Sequence, residues 1–207
     1  MLLFYYQLVP VLYIGKSLKW RISMNQICFV DRDGVVNKMG DRGEDHINEA
    51  GRKQRYTAPW SFEEFELLPK VKAALELLGR LGFIRVLVTN QPDMSYGNLT
   101  VQDHESMMAE VAKLPFEDVY VCPHPVSEGC FYHKPKPGML LAAAQKWQGN
   151  LSRSFIIGDT QSDIGAGRAA GCKTILIRAP HNNGLEADFY ADSLLEAAYL
   201  IQHLLKG

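Results

Sequence analysis

Short apolar runs recur along this chain, and each gives way to polar residues before the hydrophobic period changes to that of a helix. Ile27 to Val30, Ile84 to Thr89, Asp118 to Cys122, Ser154 to Ile157 and Lys173 to Arg178 have the length and composition of buried strands, and Phe189 to Ala191 adds a short edge strand. Helix-period segments lie between them. The first has Pro69 near its start, Val71, Leu75, Leu78 and Leu81 on one stripe, and Gly82 past its end. Leu99 to Leu114 follows with Thr100 as N-cap, then Gly138 to Gln148, Ser162 to Ala170 closed by Gly171, and a final helix from Ser193 to Leu205. Strands alternating with helices require right-handed crossovers, so the expected fold is α/β: a mainly parallel, Rossmann-like sheet inside a three-layer α/β/α sandwich. Ligands of such sheets bind at the carboxyl ends of the strands.

Those strand ends carry the polar clusters. The first, in NQICFVDRDGVVN (Asn25 to Asn37), brings two carboxylates two residues apart, Asp31 and Asp33, with Gly34 directly after. Alternating side chains put both acids on one face, where like charges that close need a cation or a proton between them. The pattern suits one acid as nucleophile, its neighbour as general acid or base, and an oxygen-seeking ion such as Mg2+. A surface turn is the alternative, since DG after a strand is a common turn signal. Three more clusters follow later strands: TNQ at 89 to 91, HKPKPG at 133 to 138 and GDTQSD at 158 to 163. A nucleophilic acid, a hydroxyl and amides for phosphate oxygens, a cation and further acids for a metal are the parts that phosphoryl transfer uses.

Charge and cysteine content narrow the alternatives. Lys plus Arg 22 against Asp plus Glu 23 leaves no basic excess for nucleic acid or an anionic membrane surface. With 47% hydrophobic residues in 207, the chain is long enough for one sizeable core. Cys28 and Cys172 lie in or beside strand-like runs and read as reduced core residues. Residues 24–207 are expected to form the domain. Residues 1–23 read as a leader, non-native or mis-started, with a membrane anchor as the alternative: the segment is apolar but lacks a basic start and is broken by Gln7 and Pro10. Lys38 to Pro59 is polar and without period, placed for a substrate-gating loop or else a disordered insertion.

The order DxD, then Thr after the second strand, then Lys, then GDxxxD resembles the haloacid dehalogenase-like (HAD) superfamily over Asn25 to Gly207. Within it, DRDGVVN, VTNQ, a CPH segment, KPKPGML and IIGDTQSDIGAGRAAG are similar to the small phosphatases that include the D-glycero-D-manno-heptose 1,7-bisphosphate phosphatases and the histidinol-phosphatases, the former being the better match. The resemblance implies a Mg2+-dependent phosphatase of a small phosphorylated metabolite, a cytoplasmic monomer without nucleic-acid or membrane partners. It makes Asp31 the nucleophile and Asp33 the proton donor that later activates water. Thr89 and Asn90, with Gln91 and His133 beside them, would hold the substrate, and Lys134 the transferring group. Asp31, Asp159 and the backbone carbonyl of Asp33 would hold Mg2+, with Asp163 orienting that cluster.

Departures from the family pattern bear on metal and substrate. Relatives often carry a zinc loop of C-x-H followed by C-x-C; this chain has Cys122, His124 and Cys130, with Tyr132 at the fourth position. Structural Zn2+ takes four ligands in a closed tetrahedron, so zinc binding and a metal-free loop, or a weak site completed by His133 or water, all stay open. His133, Thr160 and Tyr96 stand where the family has basic residues. Arginine grips phosphate with a fixed, always-charged fork, so their loss points to a less anionic substrate or relaxed specificity. Two rivals follow: a family member that binds a phosphorylated ligand or partner without turnover, and a receiver-type domain, disfavoured because that fold lacks an acid two residues after its phosphorylated Asp.

Overall fold

The computed structural model describes residues 24–49 and 51–206. The leader reading for 1–23 therefore lies outside the described residues. In chain order the elements are β1 (Gln26–Val30), β2 (Gly40–Asp41), β3 (Tyr56–Thr57), α1 (Val71–Arg80), β4 (Phe83–Asn90), α2 (Asp93–Tyr96), α3 (Val101–Val111), β5 (Asp118–Cys122), α4 (Gly138–Lys146), β6 (Phe155–Gly158), α5 (Gln161–Ala170), β7 (Lys173–Ile177), β8 (Phe189–Ala191) and α6 (Leu194–Leu204). Six strands form one sheet in the order β5-β4-β1-β6-β7-β8, and all its pairings are parallel. The chain steps from β1 to β4 and β5 on one side, then returns past β1 to lay down β6, β7 and β8 on the other. That reversal opens a crevice at the carboxyl ends of β4, β1 and β6, where an open parallel sheet binds its ligand.

Alternation along β1 divides the core. Cys28 and Val30 face a layer built on α1 and α6, with Val71, Leu75, Leu78, Ala197 and Ile201. Ile27 and Phe29 face the opposite layer with Met139, Leu140 and Ala143 of α4 and Ala166 of α5. Burial on both faces explains why β1 is an unbroken apolar run rather than an alternating one. Truncating a fully buried residue such as Leu75 to alanine is expected to cost about 2–5 kcal/mol.

Helix signals in the sequence act as read. Thr100 accepts from the backbone N–H of Asp103 at 3.0 Å, a cap worth about 1 kcal/mol. Pro69 precedes α1 by two residues and Gly82 follows its end with φ +87°, while Leu81, expected on the buried stripe, is only partly buried. The polar stretch after β1 is more ordered than its composition predicts. β2 and β3 pair as an antiparallel two-stranded sheet. Arg42 ties that sheet to Glu64 at 2.6 Å and lies 3.8 Å from the Trp60 ring centroid. No helix among the described residues is long and apolar enough to cross a membrane.

Candidate active site

Asp31 follows β1 directly, and its N–H donates to Ile157 O of β6 at 2.9 Å, extending the strand pairing by one residue. Asp159 follows β6, and Asp163 is the third residue of α5. These three acids, 6%, 0% and 0% exposed, each offer a carboxylate oxygen within 4.8 Å of the other two. Glycine makes the room: a Cβ at Gly34, which sits at φ +80°, would collide with Asp159 Oδ2, and one at Gly158 would collide with the Asp163 side chain. Asp163 also serves the backbone. Thr160 caps α5, with its N–H and Oγ1 donating to Asp163 Oδ2 at 3.0 and 2.5 Å.

Lys134, 3% exposed, reaches this cluster from the loop before α4. Its Nζ donates to Asp31 Oδ1 at 2.7 Å, to Asp163 Oδ1 at 2.5 Å and to Val88 O at 3.0 Å. Burial opposes the ammonium charge, but Asp163 and Asp31 outweigh it and hold the lysine protonated. One cation among three buried acids leaves negative charge uncompensated. Burial, and then Asp163, push Asp31 well above the usual carboxylate range; burial raises Asp159 against the pull of His181. Asp159 Oδ2 meets His181 Nε2 at 2.9 Å, whereas its buried Oδ1 has no hydrogen-bond partner among the described residues. Convergent buried carboxylates with an orphaned oxygen form a donor set that fits a hard divalent cation such as Mg2+.

Asp33 is held differently. Arg32 Nε and Nη2 donate to its Oδ1 at 3.1 and 3.0 Å, Asn37 Nδ2 donates to the same oxygen at 3.0 Å, and Gln91 Nε2 donates to Oδ2 at 2.6 Å. Thr89, 1% exposed, accepts from Gln91 Nε2 at 2.8 Å.

Three residues expected to hold substrate are engaged elsewhere. Gln91 is fully buried, and its amide is spent on Asp33, Thr89 and Arg32. Asn90 brackets the backbone of Lys134, accepting from its N–H at 3.0 Å and donating to its carbonyl at 3.1 Å, so it fixes the lysine loop. His133 turns from the acids toward the loop after β5, its Nδ1 2.8 Å from His124 O and 3.8 Å from Cys122 Sγ. Asp163, expected behind the metal, stands in the cluster with Asp31 and Asp159. Sequence reasoning assigned nothing to Arg32, Asn37, His181 or Asn182, although Asn182 donates to Asp159 O at 2.7 Å.

Cys122, His124 and Cys130 also converge, one ligand atom from each lying within 4.8 Å of the others. Tyr132 is 46% exposed and supplies no fourth ligand. Three ligands do not make the closed tetrahedron of a structural zinc site.

Comparison with known proteins places this geometry. A D-glycero-beta-D-manno-heptose-1,7-bisphosphate 7-phosphatase of Helicobacter pylori is 32% identical over 175 residues, covering 78% of this chain and 91% of the relative. The chain belongs to the HAD-like hydrolases. A HAD-hydrolase-like family model matches residues 131–197, from the Lys134 loop to the start of α6. Another HAD-like relative, the D-glycero-D-manno-heptose-1,7-bisphosphate 7-phosphatase of Chlorobaculum tepidum, is 32% identical over 197 residues, 83% of this chain and 92% of its own. The crystal structure of D,D-heptose 1,7-bisphosphate phosphatase from B. bronchiseptica, complexed with magnesium and phosphate, superimposes with a TM-score of 0.70 at 25% identity, covering 88% of this chain and 99% of that one. The reaction class of this HAD-like hydrolase is phosphoric monoester hydrolysis.

Proposed function

We propose that the protein is a Mg2+-dependent phosphatase of a small phosphorylated sugar, acting through an aspartyl-phosphate at Asp31. The observation that carries the proposal is the convergence of Asp31, Asp159, Asp163 and Lys134 on one buried point at the strand ends. Mg2+ held by Asp31, Asp159 and Asp163 would supply the positive charge that lets a carboxylate and a phosphate monoester approach each other. An Asp31 oxygen attacks phosphorus as the ester P–O bond breaks, and Lys134 Nζ neutralises charge on the phosphoryl oxygens. Asp33 gives its proton to the departing alkoxide. It then takes one from the water that cleaves the aspartyl-phosphate, releasing inorganic phosphate and restoring Asp31.

The relatives' names supply the substrate class, a heptose bisphosphate, but three features favour fewer phosphates here. Thr160 is committed to capping α5, His133 is turned toward Cys122 and His124, and Tyr96 ends α2. None offers an arginine-like fork for a second phosphate. The setting proposed is a cytoplasmic monomer.

The test is hydrolysis of p-nitrophenyl phosphate and of a panel of sugar mono- and bisphosphates with Mg2+, wild type beside Asp31→Asn. Activity lost with Asp31→Asn and greater on monophosphates supports the reading. Equal activity of both proteins removes the mechanism, and preference for bisphosphates removes the substrate argument.

A further inference from the structure

Arg32 is the largest fully buried side chain among the described residues, and it stands between the two acids of the DxD motif. A guanidinium does not shed its proton in a protein, so one sealed from water needs hydrogen-bond acceptors close by. Arg32 contacts Asp33 through Nε and Nη2, both on Oδ1, and Gln91 Oε1 through Nη2 at 2.7 Å. Among the described residues its Nη1 meets only the soft Met108 sulfur, at 3.9 Å.

The arrangement is directional. Gln91 accepts from Arg32 through Oε1 and donates through Nε2 to Asp33 Oδ2 and to Thr89. A flipped amide would aim oxygen at the carboxylate and nitrogen at the guanidinium, so Arg32 fixes the orientation of Gln91, and Gln91 fixes the plane of Asp33. Among the described residues three donors converge on Asp33 Oδ1, against one on Oδ2. Oδ1 therefore has no capacity left for a reacting proton, while Oδ2 keeps a free lone pair.

We propose that Arg32 and Gln91 are positioning residues for proton transfer: they lock the Asp33 carboxyl plane and reserve Oδ2 as the oxygen that delivers the proton to the leaving group. This rests on the reaction proposed above. During the step the Oδ2–H bond breaks, the leaving oxygen gains that proton as its bond to phosphorus breaks, and Oδ2 keeps the electron pair. The donors to Oδ1, Arg32 and Asn37, are fully buried, so their contribution is to geometry, and misplacing the acid by a fraction of an ångström is enough to forfeit general-acid catalysis.

Leaving-group dependence reads this directly, because a poor leaving group needs the proton and a good one does not. The assay measures kcat/KM with Mg2+ for phenyl phosphate, p-nitrophenyl phosphate and 2,4-dinitrophenyl phosphate, which reports the step that expels the leaving group and not the later hydrolysis of the aspartyl-phosphate. It compares wild type, Asp31→Asn, Asp33→Asn, Gln91→Met, which keeps the volume but not the hydrogen bonds, and Arg32→Lys, which keeps the charge but not the fork. Gln91→Met is expected to lose about 10²-fold on phenyl phosphate and less than about tenfold on 2,4-dinitrophenyl phosphate, following Asp33→Asn in slope. Arg32→Lys is expected to steepen the dependence in the same sense, with melting temperature measured alongside. Equal losses on all three esters for Gln91→Met, or no loss, while Asp33→Asn keeps its steep dependence, would overturn the positioning role alone. Wild-type turnover unaffected by Asp31→Asn would overturn the reaction reading, and this inference with it.

Discussion

Two groups of metal-type ligands lie among the described residues, and they are built to different standards. Asp31, Asp159 and Asp163 come from the ends of two strands and the first turn of a helix, are almost wholly buried, and are braced by Lys134, His181 and Thr160. Cys122, His124 and Cys130 come from one strand end and the loop behind it; only Cys122 is buried. The difference is one of charge. Thiols stay neutral when buried, and desolvation raises the proton affinity of Cys122, so the sulfur cluster persists at little cost without an ion. Three carboxylates have no such refuge, and their burial is hard to sustain unless a cation or protons compensate.

The comparison breaks first at Asp31. Under the proposed mechanism Asp31→Asn removes the attacking oxyanion, and activity on p-nitrophenyl phosphate is expected to fall by about 10⁴-fold or more. Lys134→Met comes next: losing a donor for the phosphoryl oxygens is expected to cost about 10²–10³-fold in kcat. It also strands two buried acids, so the Mg2+-free variant is expected to lose about 3–5 kcal/mol of stability. Mg2+ should restore more of that loss in the variant than it adds to the wild type. Calorimetry with EDTA and with Mg2+ checks this, and equal metal effects on the two proteins would mean that the acids do not share a site. For wild type alone, Mg2+ at about 100 times its dissociation constant contributes about 2.7 kcal/mol. In a chain this size that is a rise of about 5–10 °C in Tm. Ca2+ or Mg2+ leaving Tm unmoved would count against a metal at the acid cluster.

Much of the frame was legible in the residues because burial is written in composition. Asp118–Cys122 and Phe189–Ala191 have the bounds that the apolar runs predict, and Thr100 caps the helix it was read to cap. The strand order was not legible, since a parallel crossover of given length reaches a neighbouring strand on either side. The pairing of β2 with β3 was hidden too, because it depends on Arg42 meeting Trp60 and Glu64 in space. At the site, motif spacing marked the loops that converge but not the partners of each atom. Asn90 and Gln91 look like phosphate ligands in a TNQ run, yet their partners are contributed from 44 and 58 residues away. His181 lies in a Pro-His-Asn-Asn turn after β7 with no motif around it; a lone histidine in a loop following a strand end, where the other polar clusters also sit, was the one available signal.

The smallest change sharpens the contrast from the other side. If charge and ligand count separate the two clusters, supplying the fourth sulfur should convert the weaker one. Tyr132→Cys places a thiol two residues from Cys130, on a side chain that is 46% exposed and free to swing. Four N and S donors lower the free energy of the metal-bound state enough to strip the thiol protons that Cys122 now retains. Zinc content by elemental analysis is expected to rise from well below one to about one ion per chain, with proton release on titration and a raised Tm that a chelator reverses. Turnover of p-nitrophenyl phosphate should change by less than about threefold, because the loop reaches the acids only through His133 and the Lys134 backbone that Asn90 already holds. A wild-type protein already carrying one tightly held zinc would show that three ligands suffice here, and would remove ligand count as the feature that divides the two clusters.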